Sequence, residues 1–135
     1  MDIDGGCLCG EISYTATIDP DRVAICHCND CQLNSGSAFG VVASVVDGQF
    51  QLVTGELREF EKTAASGRVR QLSFCPVCGT RIHARTKDDP KAFFGLRLGT
   101  IRQRAVLTPK VQVWCASALP WVADLSGIAK RDAQA

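Results

Sequence analysis

The chain has 135 residues and a formal net charge of +1, with 46% hydrophobic and 21% charged residues. This length suits one domain with a sizeable core, and the composition excludes an intrinsically disordered chain. A charge so close to zero argues against a nucleic-acid binder held by net charge. No apolar run approaches the roughly 20 residues that span a membrane, so no membrane partner is expected.

Short strands separated by turns are predicted along most of the chain. Apolar and polar residues alternate from Ile12 to Ile18, which is the period of a strand with one buried face. A turn is predicted at Asp47-Gly48, directly after an apolar and β-branched segment. The predicted strands cover residues 11–18, 22–26, 39–46, 49–54, 57–61, 68–74, 80–85, 92–98 and 110–115.

Helical structure is expected to be limited to short turns, after Cys28 and around residues 118–122. The small, polar and charged residues of 127–135 predict a frayed tail. We therefore expect a mainly β fold, a single domain over residues 1–126 built from short antiparallel strands and metal-binding turns.

Whether the eight cysteines form disulfides or bind metal depends on the redox state of the cellular compartment. Residues 1–6 are acidic and lack the basic and apolar regions of a signal peptide, which predicts a cytoplasmic protein with reduced thiols. Neighbours in a Cys-x-Cys pair would also form a poor disulfide with each other. Metal binding is therefore favoured over a disulfide framework.

Seven of the eight cysteines fall into three short clusters. Thiolates at such spacings converge on one metal ion, and zinc is the best match for a sulfur-rich tetrahedral site. Seven sulfurs are one short of two four-sulfur sites, so one site is expected to be closed and the other to keep one position open. The clusters are Cys7-Leu8-Cys9, Cys26-His27-Cys28-Asn29-Asp30-Cys31 and Cys75-Pro76-Val77-Cys78.

The closed site is expected to combine two of these clusters. The Cys75-x-x-Cys78 turn, followed by Gly79, resembles half of a zinc knuckle and supplies two ligands. Cys7 and Cys9 offer a matching pair. Such a four-sulfur site has a structural role, because zinc contributes on the order of 10 kcal/mol to the folding of small zinc peptides.

The second site is then left with Cys26, Cys28 and Cys31. Three thiolates leave a fourth position for water or an incoming ligand, and a thiol bound there would be deprotonated. An open position of this kind can do chemistry, whereas a closed one stabilises a fold.

Two residues are alternatives for the fourth ligand of the second site. Cys115 alternates with Val111 and Val113 on one face of a predicted strand, which favours a buried small hydrophobic residue over a ligand. His27 would point away from its cysteine neighbours if the strand continues, which favours a neighbour over a ligand. His83 lies on the polar face of its predicted strand and is expected to be exposed.

These motifs resemble those of the glutathione-dependent formaldehyde-activating family, also called the CENP-V/GFA domain family. The resemblance covers about residues 5–121 and implies an Mss4-like β fold with two zinc sites. It implies that the first and last cysteine clusters hold a structural zinc and that Cys26, Cys28 and Cys31 hold a catalytic one. The matching segments are Gly5-Gly6-Cys7-Leu8-Cys9-Gly10, Cys26-His27-Cys28-Asn29-Asp30-Cys31, Gly36-Ser37-Ala38-Phe39-Gly40, Phe74-Cys75-Pro76-Val77-Cys78-Gly79-Thr80 and, more loosely, Val111 to Trp114.

The family's activity joins formaldehyde to glutathione, giving S-(hydroxymethyl)glutathione, and is classed with the carbon–sulfur lyases. The resemblance therefore implies a zinc-dependent enzyme whose partners are a small thiol, such as glutathione, and a small carbonyl compound. Arg97, Arg102 and Arg104 would then either meet the carboxylates of glutathione or form a solvated basic face.

Two other functions compete with this hypothesis. One is a non-catalytic zinc-binding interaction domain, since Mss4-like folds also serve as binding modules, and the other is a redox-active thiol cluster that releases zinc on oxidation. A basic tail and an aromatic-basic patch are both missing, which disfavours a nucleic-acid partner, while the oligomeric state stays open. His27 is either a proton shuttle or a plain turn residue.

Overall fold

The computed structural model describes residues 1–89 and 91–134, and these form an eight-stranded sheet with one short α-helix. The expected mainly β fold with antiparallel strands is therefore confirmed. The strands are β1 (Asp2–Gly6), β2 (Ser13–Cys26), β3 (Gly40–Thr54), β4 (Arg58–Thr63), β5 (Val69–Phe74), β6 (Arg81–Thr86), β7 (Phe94–Arg97) and β8 (Val111–Val113), and the helix is α1 (Asn29–Ser35).

The strand order across the sheet is β1-β2-β3-β7-β6-β5-β4, with every neighbouring pair antiparallel. The short strand β8 pairs in parallel with β2. Strands β3 and β7 lie between β2 and β6 in this order. The turn before β2 nevertheless contacts the turn before β6, because the Leu8 amide donates a hydrogen bond of 3.1 Å to Thr80 Oγ1. The sheet must therefore curl, as the natural twist of strands allows.

The predicted alternation in β2 is confirmed. Tyr14 and Ile18 are buried on the core face, while Thr15 is exposed on the other. The strand is longer than expected, because the segments predicted as 11–18 and 22–26 form one strand with a register shift between Ile18 and Val23. An irregularity of this kind lets a long strand bend around the core.

Strand β3 does not end at Asp47-Gly48 as the sequence predicts. Both residues do adopt positive φ, 46° and 71°, as in a tight turn. The chain nevertheless stays paired with β2, because the register jumps from Ile18 opposite Val45 to Ala16 opposite Phe50. The turn-forming pair is thus used as a bulge inside a strand.

The sequence reasoning missed β1 as a strand, because its two glycines and two aspartates give no strand signal. The strand pairs with β2, and Ile3 lies in the core at 4% exposure. A side chain at Gly5 would lie 2.2 Å from the carbonyl oxygen of Thr100 and 2.5 Å from the Tyr14 hydroxyl. Tertiary packing therefore fixes β1, and only glycine fits at this position.

His83 is buried at 3% exposure, so the expectation that it is exposed is wrong. Its ring packs against Phe50 and Phe94, with ring centroids 5.2 and 4.8 Å away. Burial, together with the nearby Arg85 and Arg97, lowers the pKa of His83 to about 3. Aromatic residues of β3 and β7 cover the face of β6 that the sequence suggested was exposed to solvent.

The predicted helical turns are confirmed, as α1 after Cys28 and as a 3-10 turn at Pro120–Ala123. Residues 127–134 are exposed, and Ala135, the last residue of the predicted tail, lies outside the described residues. Within 1–89 and 91–134, no helix has the length and hydropathy needed to cross a membrane.

Candidate metal centres

The first candidate centre is a four-sulfur group, Cys7, Cys9, Cys75 and Cys78. Two turns build it, one between β1 and β2 and the other between β5 and β6, and all four sulfurs lie within 4.8 Å of one another. The Sγ atoms of Cys7 and Cys9 are 3.6 Å apart, and those of Cys9 and Cys75 are 3.9 Å apart. The predicted combination of the first and last clusters is therefore the one that the fold brings together.

These sulfur separations fit a tetrahedral metal site. Zinc–sulfur bonds of about 2.3 Å place the ligands of a regular tetrahedron about 3.8 Å apart. Gly79 supports the second turn with a φ of 76°, as its place after the Cys-x-x-Cys motif predicts. The group can thus hold a metal ion.

Hydrogen-bond donors point at the sulfurs of this first group. The Ile12 amide donates to Cys7 Sγ at 3.2 Å, and the Val77 amide donates to Cys75 Sγ at 3.4 Å. The Thr80 hydroxyl and backbone hold the pKa of the Cys78 thiol at about 5. Such donors stabilise thiolates, which are the form that binds a metal.

The second candidate centre is a three-sulfur group, Cys26, Cys28 and Cys31. Cys26 ends β2, Cys28 is the N-cap of α1, and Cys31 lies in the first turn of that helix. Their three sulfurs also lie within 4.8 Å of one another, and all three residues are partly buried. The Cys31 amide donates to Cys28 Sγ at 3.3 Å, so the helix start itself fixes the Cys28 sulfur.

Burial and the mutual repulsion of the sulfurs disfavour three thiolates in this second group unless a cation is bound. Burial, reinforced by the neighbouring sulfurs of Cys26 and Cys28, raises the pKa of Cys31 to about 12. Burial also raises the pKa of Cys26. Three adjacent thiolates repel one another, and a bound cation removes that repulsion. The group can therefore hold a metal ion, with three sulfur ligands.

His27 is a neighbour of this group rather than a member, as predicted. Its ring is buried at 2% exposure, packs edge-on against Phe39, and shares a hydrogen bond of 2.7 Å between Nε2 and Gln112 Oε1. Gln32 completes the support by donating to the backbone oxygens of His27 and Ser117. The segment after β8 is thus tied to the metal-binding loop.

Cys115 is exposed, so the prediction of a buried small hydrophobic residue is wrong. Strand β8 ends at Val113, and Trp114 then takes a left-handed conformation with φ of 58°, which breaks the predicted alternation. Val111 is itself 50% exposed, so this edge has no apolar face turned to the core. The Cys115 sulfur belongs to neither sulfur group.

A cavity of about 910 Å³ connects the surroundings of the two groups. Cys7 of the first group lies in its wall, and so does Gly40, against which Cys31 of the second group packs. The three arginines singled out in the sequence, Arg97, Arg102 and Arg104, all line it.

The sequence reasoning missed three further residues of this region. Arg81 also lines the cavity, Asn34 Oδ1 accepts a hydrogen bond of 3.0 Å from Arg97 Nη2, and Gly40 separates Arg97 from Cys31. Gly40 is the last residue of the Gly-Ser-Ala-Phe-Gly segment that resembles the family, and this resemblance was the sequence signal that could have pointed to it. Nothing in the sequence placed Arg81 with the three arginines already singled out.

The fold and the two sulfur groups define a mainly β protein with metal-binding turns. The family model described as "Glutathione-dependent formaldehyde-activating enzyme" matches residues 2–117. The chain therefore belongs to the glutathione-dependent formaldehyde-activating enzyme family.

One similar solved structure supports the fold. The crystal structure of a Rhodobacter sphaeroides protein, a structural genomics target, aligns with a TM-score of 0.62 over 81% of this chain and 98% of that one. The sequence identity is 16%, so the likeness concerns the fold alone. The comparison with curated proteins gave no match.

Proposed function

We propose that the protein binds two zinc ions and catalyses the reversible addition of a thiol to formaldehyde or a related small carbonyl compound. This makes it a carbon–sulfur lyase similar to S-(hydroxymethyl)glutathione synthase. In the forward direction the thiol sulfur bonds to the carbonyl carbon, and the thiol proton ends on the carbonyl oxygen. In the reverse direction the same carbon–sulfur bond breaks and both compounds are recovered.

The observation that carries the proposal is the unequal sulfur count of the two groups. Four sulfurs complete a tetrahedral zinc site, whereas Cys26, Cys28 and Cys31 leave one position for a substrate. Zinc held by these three residues would supply the chemistry of a lowered thiol pKa, so that the substrate sulfur is a thiolate at neutral pH.

The chain's own residues would orient the substrate. Cys31 Sγ and Arg97 Nη1 lie 3.6 and 3.1 Å from the point where a Cβ of Gly40 would stand, so sulfur and guanidinium are neighbours. A carboxylate on the guanidinium would place the rest of a thiol in the cavity beside the three-sulfur group. Holding two reactants in one orientation is worth several orders of magnitude in rate.

The test is exchange between ¹³C-formaldehyde and glutathione, followed by NMR with and without the zinc-loaded protein. We expect faster exchange with the native protein, and a return to the spontaneous rate with Cys28→Ser. Cys115→Ser is the matched control, because Cys115 is exposed and outside both groups, and it should keep full acceleration. No acceleration by the native protein with any thiol would overturn the proposed activity.

A non-catalytic interaction domain is the second candidate, favoured by one observation. Large apolar side chains are exposed on the segment that follows β8, including Trp114 at 66% and Trp121 at 52%. Aromatic residues of this kind are enriched at protein interfaces. Two bound zinc ions without acceleration of the thiol exchange would favour this candidate.

A further inference from the structure

Arginines outnumber carboxylates in the wall of the cavity beside the three-sulfur group. Four arginines line it, and its lining, which lies wholly within the described residues, contains no aspartate or glutamate. A low-dielectric recess with one sign of charge concentrates the opposite charge. The four are Arg81, Arg97, Arg102 and Arg104.

Three of these four guanidinium groups can form an ion pair with a bound ligand. Arg102 is the exception, because its Nε donates to Asp4 Oδ2 at 2.8 Å. Arg97 donates to the neutral amide of Asn34, and Arg104 donates to the backbone oxygen of Ile101. Arg81 lies over the Phe74 ring at 4.9 Å. In the described parts of the chain, these three have no carboxylate within ion-pair distance.

Arg97 is the arginine best placed to act on a thiol. Its Nη1 is beside Cys31, across the unsubstituted face of Gly40. The hydrogen bond from Nη2 to Asn34, a residue of α1, ties the guanidinium to the helix that carries Cys31. The Arg97 guanidinium is therefore held at a fixed position relative to the three-sulfur group.

The cavity is also much larger than a small carbonyl compound needs. A volume of about 910 Å³ falls in the range of clefts that bind drug-sized ligands. The volume of the cavity therefore suits an extended, charged thiol compound. The charge of that thiol is set by the side chains of the wall, which offers guanidinium groups and no carboxylate.

We infer that the preferred thiol of this protein carries two or more acidic groups and no ammonium group, with Arg97 as the residue that selects it. Glutathione has two carboxylates, but its ammonium group would face arginines and find no carboxylate in the lining. The desolvated ammonium would then cost binding free energy. This inference rests on the proposed function, because the thiol must reach Cys26, Cys28 and Cys31.

The test compares glutathione with glutaryl-cysteinylglycine, which is glutathione without its amino group. Calorimetric titration of the zinc-loaded protein should show about tenfold tighter binding of the deaminated thiol, the factor expected for one charged contact. Glutathione bound as tightly as, or more tightly than, its deaminated form would overturn the inference. Failure of both thiols to bind would overturn it as well.

Arg97→Gln tests the assigned residue. The variant should weaken binding of the deaminated thiol about tenfold and leave binding of uncharged 2-mercaptoethanol unchanged. Equal losses for both thiols would mean a structural role and contradict the assignment. Arg68→Gln is the matched control, since Arg68 lies in the turn between β4 and β5 and outside the cavity lining. Arg104→Gln, expected to act in the same direction, serves if Arg97→Gln does not fold.

A cobalt-substituted second site separates this inference from the proposed function. A thiol that binds the metal changes the sulfur-to-cobalt absorption bands, whereas an anion held only by arginines does not. No spectral change with any thiol would remove the proposed function. A spectral change that is as strong for glutathione as for its deaminated form would leave the proposed function intact and remove the charge selection.

Discussion

The two sulfur groups differ in how the chain builds them. The first joins two turns that are 66 residues apart at Cys9 and Cys75, so it ties strands that are distant in the sheet. The second comes from six consecutive residues, Cys26 to Cys31, at the end of one strand and the start of α1. A metal ion in the first would therefore close the fold, while a metal ion in the second would close only a local loop.

Breaking the first group should have the largest effect. Cys75 is fully buried in the core cluster, and Cys75→Ser removes a ligand whose zinc we expect to contribute on the order of 10 kcal/mol. That is comparable to the whole stability of a typical domain, so we expect an unfolded chain in circular dichroism. The matched control is again Cys115→Ser, which should unfold like the native protein. A folded Cys75→Ser variant with both metals bound would contradict the structural role.

Gly5 tests the strand that leads into the first group. Gly5→Ala would place a methyl group 2.2 Å from a backbone oxygen of Thr100, which cannot move aside without the chain. We expect a loss of about 3 kcal/mol in the free energy of unfolding, measured by denaturant titration. Gly99→Ala is the control, because no atom lies within 4 Å of its added Cβ. Equal stabilities for the two variants would show that β1 packs differently.

His83 gives a pH dependence that belongs to the core and to neither sulfur group. Its folded pKa of about 3 lies below the ordinary 6.5, so below pH 6.5 the unfolded state binds a proton that the folded state does not. Stability from this residue is thus present above pH 6.5 and is lost as the pH falls toward 3. At pH 5 the loss is about 2 kcal/mol.

His83→Phe should remove that part of the pH dependence while keeping the ring contacts with Phe50 and Phe94. The measurement is the difference in unfolding free energy between the native protein and the variant at pH 7 and pH 5. Acid release of metal from the cysteines affects both proteins and cancels in this difference. A difference that does not change with pH would mean that His83 is not the buried neutral residue described.

Gly40 should give the smallest effect on stability, and it lies against the second group. Gly40→Ala would bring a methyl group 3.1 Å from Arg97 Nη1, the end of a flexible side chain that can shift. We expect a loss of less than about 1 kcal/mol in stability, together with several-fold weaker binding of an acidic thiol. Unchanged thiol binding would mean that Arg97 does not depend on its place beside Cys31.

The cysteine groups were predictable from sequence because their signal is local. Close spacing at Cys7-x-Cys9 and Cys75-x-x-Cys78 limits where each pair of sulfurs can point, and seven sulfurs allow few divisions. The resemblance to the family gave the same division, and the fold brings together those two groups and leaves Cys115 out. The period of two also placed the buried residues of β2 correctly.

The errors concern features that tertiary packing decides. Cys115 and His83 were placed by extending an alternating pattern, but Trp114 breaks the strand before Cys115, and Phe50 and Phe94 cover His83. Strand β1 has no pattern of its own and is held by its partner β2. The place of Arg81 beside the other three arginines likewise depends on the curl of the sheet, which no local sequence signal encodes.

We propose that the two groups differ, one closed by four sulfurs and the other open with three. Cadmium-113 NMR of the protein loaded with two cadmium ions tests it directly, because the chemical shift reports the number of sulfur ligands. We predict two resonances, one unchanged by added thiol and one that moves when thiol joins the Cys26, Cys28 and Cys31 group. Two resonances at the four-sulfur position that are both unchanged by added thiol, or a single resonance, would contradict this difference between the groups.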